Sequence, residues 1–234
     1  MKYVIALVLG LLVGASMFVI GLVYNPFIST QGVSPLSVTD ARTVALSYSG
    51  VAAENIVFSN DGESRVSPHP DKVLQLWEAS IRQTTATVVV LRDARNQVAG
   101  IGIKFSSLSE DTRLLNGEAL IDSVWHLTLP GRGSLFFEQR ENYWNYLRDI
   151  VVSAYRSSAN TWKGSWHGTI TAGPHALGTG MVTGGFGEFA DNEMLGIESL
   201  SVRAWSADSG PISSEGSLII ELPLAVSADE AAAE

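Results

Sequence analysis

The chain has 234 residues, 46% of them hydrophobic, and carries fifteen Lys and Arg against twenty-four Asp and Glu for a formal net charge of −9. All but one of the basic residues lie beyond residue 24, where fourteen of them face all twenty-four acids, which argues against a general basic surface for nucleic acid or anionic headgroups. With no cysteine, disulfides, thiolate catalysis and Cys-ligated zinc or iron–sulfur centres are excluded, so the fold depends on packing alone.

The run VIALVLGLLVGASMFVIGLVY, residues 4–24, has no charged residue. At about 1.5 Å of rise per residue, such a helix reaches roughly 30 Å, the thickness of a bilayer's hydrocarbon core. Lys2 and Val13-x-Ala15 give a weak signal-peptide pattern, but the run continues for nine residues past Ala15, which favours a retained signal anchor over residues 1–25. Lys2 precedes the run and the next basic residue is Arg42, so the positive-inside rule expects a cytoplasmic N-terminus. The soluble part then faces outward, into the periplasm if the membrane is a bacterial inner membrane. Tyr3 and Tyr24 bracket the run at interfacial depth. Gly10 and Gly14 form a G-x-x-x-G pair and Gly21 falls near the same face, a spacing that lets a second membrane helix approach, from another copy or another protein.

Residues 26–40, rich in Ser, Gly and Pro, read as a stalk. Residues 41–224 read as one β-rich domain, and 225–234 as a small acidic tail. β-type runs occur at Thr43–Tyr48 and Asn55–Ser59, the second closed by Asn60-Asp61-Gly62. After Pro68 and Pro70, the spacing of Val73, Trp77 and Ile81 predicts an amphipathic helix over 71–83. Thr85–Leu91 and Val98–Phe105, joined by RDARNQ, read as a hairpin. In Ala119–Leu129 the residues Ala119, Ile121, Trp125, Leu127 and Leu129 share one face, and Glu118, Asp122, His126 and Thr128 the other. Gly131-Arg132-Gly133 turns the chain into SLFFEQR, and ENYWNYLRDIVVSAY carries a helical stripe of Tyr143, Leu147, Ile150, Val151 and Ala154. From Thr161 to Pro223 the chain is glycine-studded β structure, whose meander closes most simply as a small barrel. The expected fold is mainly β with two helices: an N-terminal transmembrane helix followed by an antiparallel β-barrel-like domain.

Within this last region, Gly180, Gly184, Gly185, Gly187, Phe189 and Gly196 form a glycine-rich strand segment followed by a long hairpin. The pattern over residues 178–222 resembles the C-terminal part of the allene oxide cyclase and dirigent barrel families. That resemblance implies an eight-stranded antiparallel barrel whose interior can hold an apolar ligand, in families that isomerise an unstable intermediate or direct coupling of a radical. It covers about a quarter of the soluble part, and none of those families' catalytic carboxylates or tyrosines maps onto a numbered position here.

Candidate chemistry is sparse. His126 and His167 each follow a tryptophan, and with Asp122 or Glu118 they would converge as a metal or ligand site if their strands were neighbours. The alternative is that Trp125 and Trp166 point into the core while the polar residues face solvent. Trp144 and Tyr146 fall off the main helical stripe and are candidates for contact with a partner, or for packing on the barrel mouth. No nucleophile elbow, H-E-x-x-H or phosphate loop is present, and no cofactor is implied. The sequence therefore points to a non-catalytic binding or accessory subunit of a membrane complex, with an isomerase or cyclase of an apolar, lipid-derived substrate as the alternative.

Overall fold

The computed structural model describes residues 2–23, 42–51, 57–60, 63–66, 74–75, 84–190 and 194–222. The expected stalk and acidic tail lie outside the described residues. The apolar run forms one helix, α1 (Lys2–Val23). It is long and apolar enough to cross a membrane, and its residues from 2 to 21 pack against nothing else described.

The strands that follow are β1 (Arg42–Ser49), β2 (Val57–Asn60), β3 (Glu63–Val66), β4 (Leu74–Gln75), β5 (Thr85–Arg92), β6 (Val98–Leu108), β7 (Leu120–Leu129) and β8 (Gly133–Asn142). After the helical segment α2 come β9 (Thr161–Thr169), β10 (Thr171–Gly173), β11 (Gly180–Gly187), β12 (Leu195–Ser206) and β13 (Gly210–Leu222). α2 opens as α-helix at Trp144–Tyr146, widens into a π turn over Leu147–Val151 and closes as α-helix over Val152–Arg156. The helix expected over 71–83 falls mostly outside the described residues. The two described within it, Leu74 and Gln75, are extended instead and pair with Ala86 and Thr85, because β5 offers them a free edge.

Eight strands close a barrel in the order β1-β13-β12-β11-β8-β7-β6-β5, every neighbour antiparallel, with Ser47 of β1 meeting Arg92 of β5 at the seam. The barrel is the mainly β, antiparallel architecture that the strand runs and turn signals predict. Side chains alternate in and out, so one parity of each strand fills the interior. At one end this filling is apolar: Val44, Leu46, Leu91, Leu127, Leu129, Leu135, Leu218 and Ile220 are all buried. The glycines of β11 and β12 admit the largest ring there, since a Cβ on Gly180 or Gly196 would lie 2.5 or 2.9 Å from the Phe137 ring.

Outside the barrel, β9 pairs with Ser199–Ser206 of β12, and α2 buries Ile150 and Ala154 against Val202 and Trp205. The outer face of β6, β7, β8 and β11 leaves Ile101, Phe105, Val124, Phe136 and Met181 exposed.

Candidate functional site

Toward the other end of the barrel the inward parity turns polar. On β8 the sequence Leu135, Phe137, Gln139, Glu141 passes from apolar to polar along a single face, and all four are buried. The neighbouring strands contribute Lys104 from β6, Ser123 and Trp125 from β7, and Glu198 from β12, with Tyr48 from β1 and Thr171 from β10.

Glu198 is fully buried and receives hydrogen bonds on both oxygens. Oε1 accepts from the Tyr48 hydroxyl and from Lys104 Nζ at 3.0 Å. Oε2 accepts from Lys104 Nζ at 3.1 Å, from Trp125 Nε1 at 3.0 Å and from the Gln139 amide. Five donations converge on its two oxygens, the pattern a carboxylate accepts, and Lys104 sets a positive charge beside it. Burial works against the Lys104 charge, but Glu141 and Glu198 outweigh it and raise the ammonium pKa. The ammonium also stands 5.2 Å from the centroid of the Trp125 ring, which Tyr48 meets edge-on at 5.1 Å.

Glu141 is held asymmetrically. Its Oε1 accepts from Lys104 Nζ at 2.7 Å, from Gln139 Nε2 at 2.9 Å and from the Ser123 hydroxyl. Its Oε2 is buried and has no hydrogen-bond partner among the described residues. Burial, reinforced by the Glu198 charge, outweighs the pull of Lys104 and raises the Glu141 pKa. Gln139 is fixed in turn by Thr171, whose hydroxyl donates to Gln139 Oε1 at 2.7 Å and accepts from the Glu198 amide at 2.6 Å.

A cavity of about 320 Å³ opens over this floor. Its wall includes Tyr48, Thr87, Lys104, Ser106, Trp125, Glu141, Tyr143 and Tyr146, with Val89, Ile121 and Leu200 supplying apolar surface. Tyr143 stands beside Glu141 and the two side chains interact. Burial first, then the charges of Glu141 and Glu198, push its phenol pKa well up; Tyr48 is raised the same way by burial and Glu198. Burial, opposed by a hydrogen bond with Trp205, takes Tyr146 up to about 12. α2 is set at this mouth by Asn142, whose Oδ1 accepts from the amides of Trp144 and Ala119.

Of the candidate residues in the sequence, Tyr146 lines this cavity and the others lie elsewhere. Asp122 is on the outer face of β7, bonded to Arg140 Nε at 2.8 Å, and this guanidinium holds its carboxyl below the usual range against the opposing effect of burial. His126 stacks on Phe136 with ring centroids 4.6 Å apart, and His167 Nδ1 meets Ser201 Oγ at 2.9 Å on β9. Their strands are not neighbours, since β7 pairs with β6 and β8 while β9 pairs with β12. Among the described residues no three His, Asp or Glu side chains gather as a metal site, which corrects the expected convergence of Asp122, His126 and His167. Trp144 is 6% exposed, so it is packed within its own chain rather than offered to a partner. Tyr146 lines the cavity and meets Trp166 edge-on at 5.8 Å, which is the barrel-mouth alternative. Gly10, Gly14 and Gly21 have open space around them.

Comparison of the sequence with models of known protein families and with curated proteins gives no match.

Proposed function

We propose that this chain is a membrane-anchored barrel that binds a small, mainly apolar molecule with one polar end in the mouth of its barrel. The observation that carries this reading is the division of the interior: apolar packing at one end, and at the other a cavity of about 320 Å³ over buried Lys104, Glu141 and Glu198. An eight-stranded barrel is wide enough to be filled by side chains or to hold one small ligand. Here the polar end is not filled, and the cavity is of the size that small-molecule sites occupy. A packed barrel needs no buried ion pair, because apolar residues of equal volume serve stability at least as well.

α1 would hold the barrel at the outer face of an inner membrane with its N-terminus inside, close to a source of apolar molecules. An isomerase or cyclase of a lipid-derived substrate would use the same cavity. The accessory-subunit reading is favoured by two features, the small-residue face Gly10, Gly14 and Gly21 and the exposed apolar outer face with Phe105, Val124 and Phe136.

The test is native mass spectrometry of the full chain extracted from its membrane in mild detergent. Wild type is expected to carry a small adduct that Ser106→Trp, which fills the mouth, does not. An adduct of equal abundance in both proteins, or none in wild type, contradicts ligand binding in the barrel.

A further inference from the structure

Glu141 sits between β6, β7, β10 and the turn into α2, and the groups facing it are few. They are Lys104 from β6, Ser123 from β7, Gln139 on its own strand, Glu198 from β12 and the Tyr143 phenol. Three donors converge on Oε1 and none on Oε2. The one cation facing these two acids among the described residues is shared between them, at 2.7 Å from Glu141 Oε1 and at 3.0 and 3.1 Å from the two oxygens of Glu198. A second ionised carboxylate would therefore leave a net negative charge in a site where Glu141 is 1% exposed, and burying an unpaired charge costs far more than burying a neutral acid.

We propose that Glu141 is the ligand-anchoring group of the cavity, a neutral carboxylic acid whose Oε2–H donates to an acceptor oxygen of the bound molecule. The ligand class follows: a neutral, mainly apolar compound with a carbonyl, ester or ether oxygen at its polar end. Oε1 is locked by Lys104, Gln139 and Ser123, so the rotamer of this cavity-lining carboxyl is set before binding, which lowers the ordering cost of association. An ammonium ligand is disfavoured because Lys104 already places a positive charge at the floor, and an anionic one because Glu198 lies behind it. The inference rests on the barrel being a binding site and adds to it the chemistry of the occupant.

Two measurements on the full chain in detergent test it. In the infrared at neutral pH, wild type is expected to show a carboxylic acid C=O stretch that Glu141→Gln removes; absence of a Glu141-dependent acid band overturns the proposal. The second uses acetonaphthone, a neutral aromatic ketone, beside naphthalene and naphthylmethylammonium. Glu141→Leu is expected to weaken the ketone roughly fivefold to tenfold beyond any change for naphthalene, the worth of one net hydrogen bond. Glu141→Gln, whose amide donates from the same place, retains ketone binding and lowers the ketone's carbonyl stretch as wild type does. Equal changes for ketone and naphthalene, or a preference of wild type over Glu141→Gln for the ammonium, overturn the proposal while leaving the barrel as a binding site. Failure of all three probes to bind overturns both readings.

Discussion

Gly216 of β13 is paired directly with Tyr48 of β1, and the tyrosine ring lies across the place where a side chain at 216 would begin. A Cβ there would fall 2.0 Å from the ring's Cζ. The gap lets the phenol reach inward to Glu198, so a glycine on one strand sets the position of a hydrogen-bond donor on the next. Gly216→Ala is expected to cost about 1–3 kcal/mol, as overpacking does. Tyr48→Leu in the same chain is expected to recover part of that loss, a coupling that denaturant unfolding of the two single variants and the double variant measures. Additive losses would separate Gly216 from Tyr48.

Lys104 holds two carboxylates apart. Lys104→Met leaves Glu198 buried with no counter-charge, and removing one partner of a buried pair costs about 3–5 kcal/mol. Adding Glu198→Gln removes the orphaned charge and is expected to restore part of the stability. Urea midpoints of wild type, single and double variants check this, and a double variant less stable than Lys104→Met contradicts it.

Stability falls in alkali, with a sign fixed by three groups. Lys104, Tyr48 and Tyr143 all have pKa values raised in the fold, so the folded state binds more protons than the unfolded state once pH exceeds about 10, the ordinary value for these side chains. Their contribution is fully present below that pH and is lost as pH rises through the raised values. Glu141 acts in the same direction at lower pH, its contribution fading above the usual carboxylate range. The expected result is that the phenolate absorbance of Tyr48 and Tyr143 appears together with loss of the barrel's circular dichroism. Ionisation of both phenols in a still-folded barrel contradicts it.

The absence of cysteine makes topology directly measurable, because one introduced thiol is the only thiol. Ser158→Cys, exposed between α2 and β9, is expected to react with an impermeant maleimide from outside intact spheroplasts, and Lys2→Cys only after lysis. The reverse pattern overturns the outward orientation. In vesicles, Gly14→Leu is expected to lower energy transfer between labelled chains if copies pair through the Gly10 face; unchanged transfer removes that face from self-association.

Much of the barrel was legible because its strands carry their own signals. In β7 the alternation of Ile121, Trp125, Leu127 and Leu129 against Asp122, His126 and Thr128 marks inside and outside, and the structure keeps that division. α2 was legible from Ile150 and Ala154, which do face β12. β6 inverts the usual pattern: Ile101 and Phe105 point out while Gly102 and Lys104 point in, so reading apolar residues as inward hides the lysine. The polar floor was not legible at all, because Tyr48, Lys104, Glu141 and Glu198 come from four strands and meet only when the barrel closes. The nearest sequence signal was the inward parity of β8, which runs from Leu135 and Phe137 into Gln139 and Glu141. His126 and His167 are of a metal-ligating type, but they stand on the outer face of β7 and on β9, strands that do not pair.

The most direct measurement of binding in the mouth is the indole Nε1–H resonance of Trp125, which hydrogen-bonds to Glu198 beneath the cavity, in the full chain in micelles titrated with naphthalene. The expected result is a saturating shift of Trp125, little change at Trp162 on β9, and neither effect in Ser106→Trp. A Trp125 resonance that stays fixed, or that moves equally in Ser106→Trp, contradicts a ligand site in the barrel.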